Sequence, residues 1–568
     1  MAASWDVLVV GGGATGAGVL RDLAMRGLRA LLVDKSDLGT GTTGRYHGLL
    51  HSGGRYVARD AAAAVECIRE NRILRRIAAH AIEDTGGYFV ATPTDPDAYV
   101  DAFPGYCAAS GIDCEEVDVA ELLRREPALN RAIKRAFRVP DATLEPWALI
   151  EANVAAARAE GCDASPYHEV IDFDRAGDRI IAARLLDVRS GSVDRVPVGF
   201  VVSAAGAWAG RVAGLAGADL TMSPGKGTML VFNQRMTDSV INRCHRPGDG
   251  DIMCPVGTVA ILGTTEIEVD DPDEYEVTRA EVTELLALGE ELVPDIRRMR
   301  LLRAYAGVRP LYDVGEQSHS GSREISRSHV VLDHGPRDGV ANFVSIVGGK
   351  LTTYRLMAED TVDTVVEKLG LAVECRTADE PLPGSRPNRF HWLGERLRAH
   401  EADGGGDADL ICECELVTRA GLERFLDERW PCSVDDVRRG TRLGMGPCQG
   451  GFCTFRAAGI VAERAVTSAS DVPGSLGGSD GDAGPGTDSV AAIADRALVD
   501  FLRERHKGTR PIAHGRQLQE WALTNAIQWG TLGAGSLVHG GTMPPSRPPQ
   551  PRAPDTAPRA ADRGRAER

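Results

Sequence analysis

The chain opens on an unbroken apolar run, Val7-Leu8-Val9-Val10, that stops at Gly11-Gly12-Gly13-Ala14-Thr15-Gly16. A helical spacing of apolar residues follows. A second apolar run over 30–33 then closes on Asp34. An apolar run, a glycine turn, a helical spacing and a second apolar run predict strand, turn, helix and strand. Helical periodicity predicts helices over 61–82, 98–110, 119–125 and 146–160, with a strand at 87–91 and an extended stretch at 139–144. Short strands are expected at 169–173, 179–187 and 193–198. Residues 200–208 form an apolar strand whose small-residue tip, Gly206 to Trp208, returns to the first turn. The nucleotide layer is therefore expected to be discontinuous, with an inserted layer.

The pattern in 222–232, 251–256 and 259–263 fits an antiparallel sheet ending at Thr264-Thr265. A helix is expected over 278–292, with Thr278 and Glu281 placed as a capping box. Residues 301–311 read Leu-Leu-Arg-Ala-Tyr-Ala-Gly-Val-Arg-Pro-Leu, and 342–347 is an apolar strand. After them Gly348-Gly349-Lys350-Leu351-Thr352-Thr353 opens a helix to residue 369, and a helix opened by glycine, lysine and threonine is an anion cradle. Helices at 418–429 and 434–439 lie between two cysteine pairs. Residues 403–409 and 466–490 are Gly/Ser/Asp linkers, and 491–532 holds two further helical stretches. The Pro/Ala/Arg tail 533–568 has no apolar period and reads as disordered.

The first turn carries chemistry. Gly11 permits the tight turn, Gly13 lets backbone N–H groups reach a pyrophosphate, and Gly16 seats the helix on the sheet. Ala14 and Thr15 lie at the helix start, where the dipole favours phosphate. Asp34, about 20 residues on, can accept from a ribose, with Lys35 beside it. This motif does not separate FAD from NAD. The following loop favours FAD: Thr40, Thr42 and Thr43 can donate to phosphate oxygens, and His47-Gly48-Leu49 leads to Gly53-Gly54, which would let the chain approach a flat ring. Arg55 and Tyr56 then face whatever lies over that ring, and His47 and His51 are candidate acid–base groups.

With 568 residues the chain has room for about three domains. No basic or apolar leader precedes the first strand, and no run of about 18 apolar residues occurs, so neither a secretory signal nor a membrane span is expected. A net charge of −16 argues against nucleic-acid and anionic-lipid surfaces and suits a soluble cytoplasmic protein. Lysine occurs only six times. Where arginine is the default cation, Lys226 and Lys350, each beside glycine, mark places for a compact point charge. Of twelve cysteines, eight read as small core residues. The others form C-x-C and C-x4-C, Cys412 with Cys414 and Cys448 with Cys453, separated by 33 residues. Four thiolates suit a pair of irons or one zinc, and the absence of C-x-x-C knuckles favours the irons.

The glycine turn, the loop 44–56, Gly307-Val308-Arg309-Pro310-Leu311 and Gly348 to Arg355 together resemble the FAD-dependent glycerol-3-phosphate dehydrogenases. Within them, the likeness is greatest to the large catalytic subunit of the anaerobic, multi-subunit form. It runs from about residue 4 to 460, with a weaker trace to about 530. The cysteine region resembles the small helical [2Fe-2S] domain of the bacterioferritin-associated ferredoxins.

The resemblance implies an α/β (α+β) D-amino-acid-oxidase-like fold with an all-helical iron–sulfur domain behind it. Its parts would be a Rossmann-type FAD domain (1–90, 145–220, 340–372), a mixed-sheet substrate domain (91–144, 221–339) and the cluster domain (408–465). It further implies FAD held by the first turn, the 40–49 loop, Gly206, Trp208, Gly349, Lys350, Leu351 and Thr352. Glycerol 3-phosphate would be bound by Arg55, Tyr56, Thr265, Arg309 and Lys350, and a [2Fe-2S] cluster by the four cysteines. His51, then Lys226, would be the base. The implied partners are a quinone, an iron–sulfur membrane-anchor subunit, and a second small subunit, with the chain peripheral on the membrane's cytoplasmic face. Two rivals share the motifs: a flavin dehydrogenase of a 2-hydroxy acid or amino acid, which needs one arginine rather than several cations, and a non-catalytic electron-transfer or redox-sensing subunit.

Overall fold

The computed structural model describes residues 5–313, 327–402, 409–470, 497–498, 501–502 and 504–526. Trp5–Val10 pairs in parallel with Ala30–Asp34 on one side and Val193–Ser203 on the other. Asp163–Pro166 extends this sheet beyond Ala30–Asp34, and Phe343–Gly348 lies parallel to the far end of Val193–Ser203. The opening apolar run forms a strand covered on both faces, and Val7, Leu8 and Val9 have no exposed surface. Helices Ala14–Met25, Pro146–Ala159 and Tyr354–Lys368 pack together on one face.

The second layer is a nine-stranded mixed sheet. Gly225–Phe232 sits between Val259–Gly263 and Leu301–Arg309, both antiparallel to it. Val240–Arg243 joins Gly87–Ala91 in parallel, which ties the early chain to the late one. Helix Arg279–Leu292 backs this sheet, and its Thr278/Glu281 capping box is formed.

Several expectations change. Residues 193–198 and 200–208, read as two strands, are one strand, Val193–Ser203, followed by a short 3-10 turn at Gly206–Trp208. Gly199 does not break it; a side chain there would meet the Asp6 carbonyl oxygen at 2.9 Å, so glycine serves close strand approach. The boundaries 1–90 and 221–339 each misplace a strand. Gly87–Ala91 belongs to the substrate-side sheet, and His329–Asp333 pairs antiparallel with Phe343–Gly348 in the nucleotide sheet. Glu115–Val117 and Arg135–Val139, not foreseen, pair with each other at the edge of the second layer.

The C-terminal module is not wholly helical. Leu410–Cys412 and Val417–Thr418 form a small ladder beside helices Arg419–Arg429, Val434–Thr441 and Cys453–Ser470. Ala497, Leu498, Phe501 and Leu502, from the amphipathic stretch, are buried in this module's core. Helix Arg516–Asn525 docks instead on the substrate-side sheet, where Gln517 accepts from the Leu301 N–H at 3.1 Å. The tail 533–568 and most of the 466–490 linker lie outside the described residues. No helix among the described residues is long and apolar enough to cross a membrane.

Candidate active site

The first turn explains its own glycines. Gly11 has φ +113°, and a side chain there would meet the Ala204 carbonyl oxygen at 2.5 Å; one at Gly16 would lie 1.9 Å from the Gly11 oxygen. Both contacts are with backbone and cannot yield. Gly13 stands at the N-cap of Ala14–Met25 in extended conformation and offers no side-chain cap, so the helix end is open to an anion. Asp34 accepts from the Gly12 and Ser36 N–H groups, both at 2.8 Å, which draws the second strand's end against the turn. Burial pushes its carboxyl up to about 6 despite those bonds.

From this turn a cleft of about 960 Å³ runs between the two layers. Gly206, with φ +57°, and Trp208 border its outer end, where the Lys35 ammonium lies 5.5 Å from the Trp208 ring centre. Thr43 accepts from the Ala14 N–H at 3.1 Å and so braces the helix start. Thr40 and Thr42 border the cleft too, but their hydroxyls donate to the Asp37 and Val308 carbonyls. They shape the loop, which leaves backbone N–H groups and the Thr15 and Thr43 hydroxyls as donors to an anion there. Thr15, Leu49, Gly349 and Leu351 also face the cleft, whereas Gly16 and Gly48 stand behind it. Gly53 and Gly54 serve the protein rather than a ring. Side chains there would strike the Ala64 oxygen at 2.5 Å and the Phe89 ring at 2.7 Å.

At the inner end His51 and His47 lie with ring centres 5.9 Å apart, and His51 is 5.6 Å from Tyr56. His47 accepts from the Leu49 N–H at Nδ1, 3.2 Å, and burial, then Arg55 and Arg309, hold it down at about 3. His51 is likewise pushed well below its ordinary value, by burial first and then by His47, Arg55 and Lys350. Its backbone is pinned: the N–H donates to Thr352 at 3.2 Å, and the carbonyl accepts from Asn71 at 3.0 Å. An uncharged imidazole fixed at a cleft wall can take a proton.

Cations surround it. Arg309 donates to Thr264 Oγ1 at 2.6 Å and the Thr265 carbonyl at 3.0 Å, with Glu266 3.2 Å from its other nitrogen. Burial brings its guanidinium down to about 10. Arg327 shares Glu266 at 3.0 Å, and its carbonyl accepts from Lys350 Nζ at 2.9 Å. Arg55 grips Asp251 with one nitrogen, at 2.9 and 3.0 Å. Sequence reasoning reaches neither Arg327 nor Glu266, nor the Asp251 pairing. Arg327 follows no motif, and only the fold carries it to Glu266.

Of the residues expected to bind substrate or act as base, two lie away from the cleft. Lys226 is buried, bonded to Glu281 Oε2 at 3.1 Å and the Glu276 carbonyl at 2.9 Å. A paired ammonium that holds the helix-capping glutamate is a structural cation, so its reading as a base is withdrawn. Thr265 is 1% exposed, and its hydroxyl accepts from the Thr228 N–H; Thr264 and Glu266 present themselves in its place.

The four module cysteines are neighbours. Cys412 and Cys414 sulfurs are 3.8 Å apart, Cys414 and Cys448 4.0 Å, and Cys453 hydrogen-bonds Cys412. They touch in a row, and no group of three or more His, Cys, Asp or Glu among the described residues is arranged to hold one metal ion.

Fold and cleft together define a flavin-dependent oxidoreductase: residues 6–355 match the family DAO, FAD dependent oxidoreductase. An anaerobic glycerol-3-phosphate dehydrogenase subunit of Escherichia coli (strain K12) is 40% identical over 550 residues, covering 93% of this chain and 97% of that protein. Its namesake from Haloferax volcanii is 40% identical over 94% of this chain and 91% of its own length. The chain belongs to this family of anaerobic glycerol-3-phosphate dehydrogenase subunits. In fold it matches the X-ray structure of the Bacillus halodurans glycerol-3-phosphate dehydrogenase complexed with FAD, with a TM-score of 0.60 at 20% identity, over 88% of this chain and 94% of that one.

Proposed function

We propose that the chain oxidises sn-glycerol 3-phosphate to dihydroxyacetone phosphate. The observation that supports this most is the gathering of Arg309, Arg327, Lys350 and Arg55 around an uncharged His51 at the inner end of the cleft. A 2-hydroxy acid needs one arginine; a phosphate dianion uses several cations. The Gly11 to Thr15 turn, Gly206, Gly349 and Leu351 would hold FAD, which when bound would supply the acceptor for a hydride from C2. His51 takes the 2-hydroxyl proton. Arg309, held by Thr264 and Glu266, presents its fork to the phosphate, which a lysine cannot copy. Lys350 fixes Arg327 through its carbonyl and adds positive charge near the developing alkoxide. Anaerobic addition of glycerol 3-phosphate should bleach the flavin band, while glycerol, lactate and amino acids leave it unchanged; bleaching by lactate alone would move the assignment to the first rival.

The four thiols support an iron–sulfur reading, because a row of four divides into two pairs, one for each of two irons. Such a [2Fe-2S] cluster accepts single electrons and suits delivery to another protein. On this reading electrons reach a quinone through two partners, a second small subunit with an iron–sulfur membrane-anchor subunit, and the chain sits peripherally at the membrane's cytoplasmic face. Iron and acid-labile sulfide in equal amounts would support the cluster; zinc without sulfide would remove it.

A further inference from the structure

Two guanidinium groups at the inner end of the cleft already share an anion, and it belongs to the chain. Glu266 lines the cleft from the turn between strands Val259–Gly263 and Ile267–Glu268. Its Oε2 lies 3.2 Å from Arg309 Nη1 and 3.0 Å from Arg327 Nη2, so one carboxylate oxygen spans both cations. Arg309 itself is pinned. Its Nη2 donates to the Thr264 hydroxyl and the Thr265 carbonyl, and a side chain at Gly227 would meet that nitrogen at 2.6 Å, so the strand is bare where the guanidinium lies. Its Nη1 is buried and makes no hydrogen bond, so Glu266 meets it as an ion pair alone.

An anion that docks on Arg309 and Arg327 must take the place Glu266 holds. A free carboxylate brings the same charge and the same atoms as Glu266. Glu266, however, is tethered beside the two guanidinium groups, and a solute is not, so the solute loses to a tethered copy of itself. A phosphate monoester is different. It carries about −1.5 to −2 charge near pH 7 and three acceptor oxygens, and can give each guanidinium an oxygen of its own. The contest is weakly screened, because the Glu266 side chain is only 8% exposed.

We infer that Glu266 is a specificity-determining residue, a displaceable internal counter-ion that keeps monoanionic carboxylates off Arg309 and Arg327 and yields to a phosphate dianion. The inference rests on the proposed reading of the cleft as a glycerol 3-phosphate site, and adds the reason why a 2-hydroxy acid or an amino acid is refused there. A Glu266 that merely held the two arginines in place would behave in the opposite way: its loss would loosen both and weaken every anion.

The test uses the full-length FAD-loaded protein and has two readouts. One is KM for glycerol 3-phosphate. The other is binding of glycerate, a monoanionic 2-hydroxy acid, titrated anaerobically and followed as a shift or bleaching of the flavin band. The wild type should be reduced by glycerol 3-phosphate and leave its spectrum unmoved with glycerate. Glu266→Gln keeps the shape and removes the charge. Its KM should fall about 10-fold and its glycerate affinity rise by at least as much, the size expected for lifting one like charge from a shielded site. A KM that does not fall, or a glycerate affinity that stays at the wild-type value, overturns the proposal. Glu266→Ala decides by the same two readouts should the glutamine variant fail to hold FAD. A wild-type flavin that glycerol 3-phosphate does not reduce is a separate result: it removes the substrate reading, while the glycerate titrations still decide whether Glu266 guards the two arginines.

Discussion

His51 and Arg309 do different work, and substitution should separate them. With His51 as the proposed base, His51→Ala should slow flavin reduction in stopped flow about 10²–10⁴-fold and leave substrate affinity nearly unchanged. Arg309→Ala removes a charged donor and should raise KM for glycerol 3-phosphate about 10–100-fold, the equivalent of roughly 1.5–3 kcal/mol; an unchanged KM takes Arg309 out of the phosphate site. The histidines also set a pH response. In the folded protein His47 is held at about 3, below its ordinary 6.5. As pH falls below 6.5 the unfolded chain binds a proton there that the folded chain refuses. Stability is therefore whole above 6.5 and is lost progressively toward 3. Urea midpoints across that window should fall with pH in the wild type and less steeply in His47→Gln. Flavin reduction should fall off at a lower pH than an ordinary histidine base would give, since burial and then His47, Arg55 and Lys350 hold His51 down.

At the scale of elements, the turn from Trp5–Val10 into Ala14–Met25 is the least tolerant of change. Gly16→Ala places a methyl 1.9 Å from the Gly11 oxygen. The helix must then lift off the turn and carry its open N-terminus away from the pyrophosphate position. The purified variant should be folded by circular dichroism and colourless, with FAD lost on gel filtration; a yellow variant with full FAD content would show that the turn has more room than the contacts allow. This element was legible in the sequence because its constraint is local: glycines at fixed offsets, an apolar strand before and an acid after. The cysteine spacing was legible for the same reason. Strand His329–Asp333 was not, since its partner Phe343–Gly348 decides its layer, and no pattern within its five residues tells one sheet from the other.

Across the whole molecule, the C-terminal module is bolted to the nucleotide layer through Asp37. That carboxylate, 4% exposed, receives Arg429 from one module helix and Arg439 Nε at 2.7 Å from the next. Arg442 bridges Glu145 and Glu415 close by, and Tyr167 donates to Asp436. Asp37 stands three residues past Asp34, so one loop meets the glycine turn on one side and the module on the other. Asp37→Asn removes one anion from two guanidinium groups that keep Glu151 and the Asp435–Asp436 pair, so the loss should fall below the about 3–5 kcal/mol of a wholly broken buried pair. Limited proteolysis should then release the module from about residue 403 onward while the FAD-binding part stays intact. Loss of FAD at the same rate as the module would instead place Asp37 in the cofactor site.

The sequence by itself determined the glycine turn, the family, the loop that carries the two histidines and the spacing of the four module cysteines. In each, the chemistry depends on residue types at short, fixed separations. Only the tertiary structure decided that Lys226 is a buried ion-pair partner, that Thr264 and Glu266 rather than Thr265 face the cleft, and that Arg327 joins Arg309 on one glutamate. A side chain's role in those places is set by what the fold brings against it from far along the chain: Glu281 for Lys226, 55 residues away, and Glu266 for Arg327, 61 away. Burial then fixes the outcome, because a charge taken out of water must find its counterpart there.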